Sequence, residues 1–179
     1  MGNRQQRLFG EAVKELILNY EFIIKNGNKR WTVKSDGTLS NTLDDISANI
    51  TKDQIEAEIT AAEAAHSTVY KENDSINPTT ILNGKLILYR TGRRDYGIMH
   101  VTEVNNTSNG GSGHIKFNYK TFRTYDSDVL QKSGEVVNGG ANFDLDSGGS
   151  GASGNDFQLE TAASQFKILD NATFYILPN

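Results

Sequence analysis

The amino-acid sequence predicts an α+β protein in which N-terminal helices and a β-hairpin precede an antiparallel β-sandwich or barrel of about eight short strands. Two segments before residue 78 carry apolar residues at helical spacing, and two alternating runs joined by an Asn-Gly turn lie between them. From about residue 81, short alternating runs follow one another with Gly, Asn and Ser between them. No helical segment interrupts these later runs, which favours antiparallel pairing.

The first helix is predicted over residues 5–20. Phe9, Val13, Leu16 and Tyr20 recur at spacings of four, three and four, so they form one apolar stripe. Such a stripe packs either on the helix's own domain or on a second copy of the chain. The spacing alone leaves both interpretations open.

Two further elements precede the strand-rich part. A β-hairpin is predicted at 21–34, because Asn26-Gly27 favours the left-handed conformations that a tight turn requires. A second helix is predicted to begin at Thr51, which has the spacing of a capping box with Gln54. Its apolar residues keep helical spacing as far as Val69. We expect it to end near Lys71, because ENDSINP then breaks the pattern and Pro78 disfavours helix immediately before it.

The chain changes character near residue 78. We therefore divide it into a helical segment with a hairpin, 1–77, which can pack on the same core, and an antiparallel β domain, 78–179. Short strand-like runs separated by turn residues make up the second part, and in HIKFNYK apolar and polar residues alternate as in a strand with one buried face. The runs are KLILYR, YGIMHVTEV, HIKFNYKTFRTY, EVV, NFDLD, DFQLE, QFKILD and TFYIL.

Composition and charge argue against several classes of protein. The chain has no cysteine, which excludes thiol catalysis, disulfides and cysteine-ligated zinc. Its net charge of −4 argues against a protein whose main task is to neutralise nucleic-acid phosphates. No run approaches the length of about 20 apolar residues that crosses a bilayer. The first residues do not read as a secretory signal, so we expect no membrane insertion and favour a cytoplasmic location.

The stretch NFDLDSGGSGASGND is the candidate metal site. In a strand, Asn142, Asp144 and Asp146 share one face, and Asp156 follows a Gly/Ser-rich loop. Calcium takes six to eight oxygen ligands, and these four side chains offer oxygens only. Counted from Asn142, a glycine stands at the seventh rather than the sixth position, so the spacing is not that of an EF-hand. The alternative interpretation is a solvated strand face followed by a slack loop. We expect no cofactor, and calcium at this stretch is the alternative left open.

The stretch RTGRRDYG is the candidate ligand site. Arg90, Arg93 and Arg94 crowd one turn between Tyr89 and Tyr96. Guanidinium groups beside aromatic rings suit carboxylates, phosphates or sugars, because they combine paired donors with a stacking face. The alternative is a hairpin tip whose charges are simply solvated.

Three functional hypotheses follow, and a non-catalytic binding or interaction module leads. The chain has no Gly-x-Ser-x-Gly elbow, phosphate-binding loop or HExxH sequence. The expected partner is a protein or a glycan, with Tyr89, Tyr96, Tyr125 and Trp31 as candidate stacking surfaces. The second hypothesis is a structural protein of a virus or mobile element that forms homo-oligomers through the first helix. The third is a hydrolase that uses two convergent carboxylates.

Overall fold

A computed structural model of the chain describes residues 51–65, 68–106, 113–124, 128–151 and 153–177. These residues consist mostly of antiparallel strands in two sheets, with one α-helix beside them. The predicted mixture of helix and antiparallel strands is confirmed to that extent. The helix predicted at 5–20 and the hairpin predicted at 21–34 lie outside the described residues. Residues Thr51–Leu177 form one compact unit.

Helix α1, Lys52–Ala64, begins with the capping box that the sequence predicts. The Gln54 backbone N–H donates to Thr51 Oγ1 over 3.3 Å, and the Thr51 backbone N–H donates to Gln54 Oε1 over 2.9 Å. Together these bonds satisfy two donors at the helix start. Ile55 and Ile59 are fully buried on the inner face of the helix. Among the described residues, no helix is long and apolar enough to span a bilayer.

The predicted end of this helix is wrong. The helix stops at Ala64, and Val69–Lys71 forms the first strand instead. Val69 is β-branched and Tyr70 is aromatic, and both residue types favour strands when an edge is available for pairing. The last strand of the chain supplies that edge, and it is invisible to an argument from local periodicity.

The described residues contain ten strands. A six-stranded sheet has the order β1-β10-β3-β4-β5-β6, and a four-stranded sheet has the order β2-β9-β8-β7. Every neighbouring pair is antiparallel, and short helical turns occupy Pro78–Leu82 and Thr161–Ala163. The strands are β1 Val69–Lys71, β2 Ser75–Ile76, β3 Leu86–Arg90, β4 Tyr96–Asn105, β5 His114–Phe122, β6 Val129–Asn138, β7 Asn142–Phe143, β8 Phe157–Leu159, β9 Phe166–Ile168 and β10 Thr173–Ile176.

The run NFDLD is not the continuous strand that its alternation predicts. Strand β7 ends at Phe143, because the next residue turns the chain. Asp144 Oδ1 accepts hydrogen bonds from the backbone N–H groups of Asp146 and Ser147, over 2.7 and 3.1 Å. Local bonding of this kind by aspartate competes with the ladder of a sheet. The other runs named above fall on strands β3 to β6 and β8 to β10, although EVV covers only part of β6.

The six-stranded sheet is covered on both faces. Along β3, Ile87 and Tyr89 enter a core that also contains Phe143, Phe157 and Phe166 of the four-stranded sheet. Leu86, Leu88 and Arg90 alternate onto the opposite face, where α1 packs against β3 and β4. An aromatic cluster joins the two sheets, with Phe117 and Phe143 centroids 5.3 Å apart and Phe157 and Phe166 stacked at 4.3 Å.

We predict that Phe157→Ala lowers the free energy of unfolding by about 3–5 kcal/mol, measured by urea denaturation. Phe157 is fully buried and contacts aromatic rings of both sheets, so its loss leaves a cavity that neither sheet can close. Val136→Ala is the control, because Val136 is half exposed on β6 and should cost no more than about 0.5 kcal/mol. Equal effects of the two variants would contradict the shared core.

Candidate functional site

Strand register brings a row of polar side chains together at one end of the six-stranded sheet. Lys71 of β1 is opposite Thr173 of β10, Thr173 is opposite Arg90 of β3, and Arg90 is opposite Tyr96 of β4. Residues directly opposite each other in an antiparallel pair project from the same face. These four side chains therefore share the face on which α1 packs.

This row borders a cleft of about 590 Å³, which we call the arginine cleft. Its lining comes from three segments of the chain, 71–72, 90–96 and 171–173. Of the predicted ligand-site residues, Arg90, Arg94 and Tyr96 line the cleft, whereas Arg93 and Tyr89 do not. The sequence thus located part of the lining, and sheet pairing supplied the rest.

The charges of the cleft are only partly compensated by the protein. Glu63 Oε1 of α1 lies 3.0 Å from Lys71 Nζ and 3.4 Å from Arg90 Nη2. Arg90 Nη2 also donates to Thr173 Oγ1 over 3.0 Å, which fixes its orientation. Arg94 is exposed, and its side chain makes no hydrogen bond or ion pair with any other described residue. One acidic side chain therefore pairs with two cations, and a third cation remains available.

The prediction that Tyr89 offers a stacking surface is wrong. Tyr89 is fully buried, and its hydroxyl lies 2.7 Å from Thr121 Oγ1 and donates to the Lys120 carbonyl over 3.1 Å. Alternation along β3 turns it towards the second sheet, away from the arginines. Burial accordingly raises the pKa of its hydroxyl.

Tyr96 forms part of the cleft wall but is not an open stacking face. Only 9% of the residue is exposed, and its hydroxyl donates to Glu56 Oε1 over 3.2 Å. The Lys52 ammonium lies 5.8 Å from the ring centroid, so one face of the ring already has a cationic neighbour. The other two aromatic candidates, Trp31 and Tyr125, lie outside the described residues.

The loop that carries the arginines contacts two aspartates, Asp156 and Asp170. The Gly92 backbone N–H donates to Asp156 Oδ1 over 3.2 Å. A Cβ at residue 92 would stand 2.0 Å from the Asp170 carbonyl oxygen, so only glycine allows this close approach. At the end of the same loop, Asp95 Oδ1 accepts the Thr124 backbone N–H over 2.6 Å.

Beneath this loop lies the aspartate cluster, which we define as Asp144, Asp146 and Asp156. Each contributes a carboxylate oxygen to a group whose atoms all lie within 4.8 Å of one another. The three residues are 3%, 3% and 1% exposed. The alternative interpretation of a solvated strand face is therefore wrong, because the turn after β7 directs these side chains inwards. Asn142 remains in β7, and its amide oxygen is buried without a hydrogen-bond partner among the described residues.

Two members of the cluster are held by backbone donors. Asp156 Oδ2 accepts the Leu145 N–H over 2.8 Å, and its other oxygen accepts from Gly92 as described above. Asp144 Oδ1 accepts the two N–H groups of the following turn. Burial, followed by the charge of Asp146, nevertheless raises the pKa of Asp156 well above its ordinary value.

Asp146 is the member of the aspartate cluster that no backbone N–H group stabilises. Neither of its carboxylate oxygens makes a hydrogen bond of normal geometry with a described residue. Its pKa is raised to about 7, chiefly by burial and then by the neighbouring charges of Asp95 and Asp144, while the Thr91 hydroxyl acts in the opposite direction. Near neutral pH the carboxylate form of Asp146 is therefore costly in the protein alone.

The Gly/Ser-rich segment between these aspartates is not slack throughout. Asp144 pairs with Gly149 in an isolated antiparallel bridge. Asn155 closes the following turn, because its Oδ1 accepts the Gly151 N–H over 3.0 Å and its Nδ2 donates to the Gly151 carbonyl over 2.9 Å. Asn155 is itself buried, so these bonds replace the hydrogen bonds to water that its side chain loses on folding.

Sequence reasoning missed one local signal and several distant ones. Counted from Asp144 instead of Asn142, aspartates occupy the first and third positions and Gly149 the sixth, as in an EF-hand loop. Only the fifth position departs from that pattern within this half of the loop. By contrast, Glu63 and Lys71 reach the cleft through helix packing and strand register, for which the sequence holds no local signal.

Comparison with known proteins adds no family to this geometry. No protein-family model, curated protein or solved structure matches the chain.

We predict that Asp146→Asn becomes progressively more stable, relative to the parent protein, as the pH rises from about 4 to about 7 in the presence of a chelator. In this interval the folded parent keeps a proton on Asp146 that the unfolded chain has released, since the folded pKa is about 7 and the ordinary value is 3.8. Its stabilising contribution is complete below the ordinary value and is lost as the pH rises through the folded value.

Denaturation of both proteins across this pH range measures the difference directly. Subtracting the two curves gives the contribution of Asp146 together with its charge interaction with the carboxylates that face it, Asp95, Asp144 and Asp156. A difference that does not change with pH would contradict the raised pKa.

Proposed function

We propose that the protein is a non-catalytic binding module, built as a sandwich of the two sheets, that recognises a carboxylate group of an acidic glycan in the arginine cleft. The observation that carries this proposal is the convergence of Lys71, Arg90 and Arg94 on one cleft from two separate segments of the chain. Two of these residues are fixed by strand register, so the cleft is preformed in part and costs little ordering on binding.

The electrostatics of the cleft favour an anion. Glu63 compensates Lys71 and Arg90 together, and Glu72 is the acidic residue of the lining itself. Arg94 has no partner of its own among the described residues. A carboxylate that enters beside Arg94 can accept two parallel N–H bonds from its guanidinium, which is the strongest geometry for this pair.

The lining favours a sugar over a peptide side chain. The lining includes Thr91, Thr173, Asn171 and Gly92, and Ala172 is the aliphatic side chain of the set. The Thr91 and Thr173 hydroxyls and the Gly92 N–H already have partners in the protein, so Asn171 and the charged groups are the polar contacts open to a sugar. Peptide-binding sites usually rely on a deep apolar pocket for an anchor residue. A uronic acid instead presents hydroxyls around a ring and one carboxylate, which matches donors and acceptors spread along a polar wall.

The alternatives are less well supported. A carboxylate hydrolase needs its two acids in contact with the substrate, whereas the clustered aspartates are buried beneath the loop and do not line the cleft. Assembly through the helix predicted at 5–20 concerns residues outside the described part of the chain, and it stays a prediction. A protein partner is an outcome of the test below.

We predict that Arg94→Ala weakens binding of polygalacturonate by about 10-fold or more, measured by isothermal titration at low salt. The loss corresponds to a charge-assisted hydrogen bond of about 1.5–3 kcal/mol. Arg93→Ala is the matched control, because Arg93 is the adjacent residue, carries the same charge and does not line the cleft. Its substitution should change the affinity less than about threefold, through long-range electrostatics alone.

Three results would contradict the proposal. Equal losses in the two variants would indicate attraction by net charge without a site. Equal binding of neutral dextran would remove the role of the carboxylate. Binding of polyglutamate but not of polygalacturonate would replace the glycan with an acidic peptide.

A further inference from the structure

We propose that the aspartate cluster is a binding site for a divalent cation of the calcium type. This proposal goes beyond the glycan-binding function and does not depend on it, because the cluster and the arginine cleft share no side chain. The argument rests on the geometry of the three carboxylates and on the state of Asp146.

The spacing of the cluster fits one coordination sphere. Calcium binds oxygens at about 2.3–2.6 Å, so ligands on opposite sides of the ion stand about 4.6–5.2 Å apart. The oxygens contributed by Asp144, Asp146 and Asp156 all lie within 4.8 Å of one another. Three carboxylates offer up to six oxygens, and those that accept a backbone N–H keep a further lone pair for a metal.

Asp146 provides the independent observation. It is 97% buried, both of its oxygens lack a hydrogen-bond partner among the described residues, and one of them belongs to the clustered group. An unpaired buried carboxylate is strongly unfavourable, and no described basic side chain forms an ion pair with it. A bound cation would satisfy both oxygens and neutralise the repulsion from Asp144 and Asp156.

The donor set selects the class of ion. All ligands are carboxylate oxygens, which hard cations prefer, and no histidine belongs to the group. Magnesium binds oxygens at about 2.0–2.1 Å in a strict octahedron and keeps several waters. Calcium accepts longer and less regular coordination, which suits ligands that come from two ends of one loop.

The position of the site gives the ion a structural role. Asp144 and Asp146 lie at the start of the segment 144–156 and Asp156 lies at its end, so an ion would close this segment into a loop. Asp156 also accepts the Gly92 N–H, which connects the closed loop to the turn that carries the arginines. Calcium should therefore order both loops together.

Asp146→Asn is the cleanest test, because the Asp146 carboxylate accepts no backbone hydrogen bond that the fold requires. Asp144 and Asp156 do accept such bonds, so substitutions there would confuse loss of the ion with loss of the turn. Asparagine keeps the shape of the side chain and removes its charge. The variant should fold, and unfolding in chelator verifies this.

The measurement is thermal unfolding of the full chain with calcium chloride and with excess chelator. At about 100 times the dissociation constant, calcium lowers the unfolding equilibrium constant about 100-fold, which raises the midpoint by about 5–10 °C. We expect this shift in the parent protein and in Glu160→Gln, which removes an exposed carboxylate elsewhere, and its loss in Asp146→Asn.

Terbium luminescence gives a second reading that does not depend on stability. Terbium replaces calcium at oxygen sites. Tyr89 and Tyr119 are buried, and the charge of Asp146 contributes to the raised pKa of both hydroxyls, so these two rings are the candidate energy donors near the cluster. Emission that calcium displaces in the parent and that is missing in Asp146→Asn supports the site. A folded parent with no calcium shift and no displaceable emission would overturn the proposal, as would an equal response of parent and variant. A larger shift with magnesium than with calcium would overturn the choice of ion.

Discussion

Two loops of the described structure, the one that carries the arginines and the one that follows β7, are joined by one buried carboxylate, that of Asp156. Its two oxygens accept N–H groups from Gly92 and Leu145, which belong to different loops. The Asp156 backbone N–H donates to the Phe143 carbonyl, and the Asp156 carbonyl accepts the Leu169 N–H, over 2.9 Å in each case. Asp156 is therefore fixed to β7 and to the residue that follows β9. This side chain, together with the bond from the Thr124 N–H to Asp95 and the close approach of Gly92 to Asp170, holds the turn that carries the arginines against the core. The shape of the arginine cleft follows from this connection, because the turn forms one of its walls.

The same arrangement concentrates negative charge where water is scarce. Asp144, Asp146 and Asp156 are buried together, and Asp95 adds a fourth buried carboxylate from the arginine turn. Backbone donors stabilise three of the four, whereas Asp146 accepts no backbone hydrogen bond and faces burial and like-charge repulsion, which the nearby Thr91 hydroxyl offsets only in part. Native proteins are stable by only about 5–15 kcal/mol, so an uncompensated group of this kind is expensive for the fold to retain. Such groups are concentrated at functional sites, which is the physical reason to assign a ligand to the cluster.

The sequence predicted features whose residues are close together along the chain, and it missed features whose residues are far apart. The capping box of Thr51 and Gln54 is local, and it was read correctly. The proximity of Asp144 and Asp146 was also visible, although their burial was not, since alternation over 142–146 described a strand that in fact ends at Phe143. Tyr89 shows the same limit, because alternation separates two faces but does not tell which one receives the helix. Lys71 and Thr173 meet only through pairing of β1 with β10, which no short window contains.

The turn that carries the arginines, residues 91–95, has residues of different types on its two sides. Thr91, Gly92 and Asp95 face the buried carboxylates or their hydrogen-bonded surroundings, where a small side chain or none is required. Arg94 remains exposed beside the cleft, in a left-handed conformation that the tight turn imposes. Anything that fixes the acidic side of the turn therefore also fixes the direction of the basic side. Cation binding and anion binding would then reinforce each other through a shared loop, since ordering paid for by the first ligand is not required of the second.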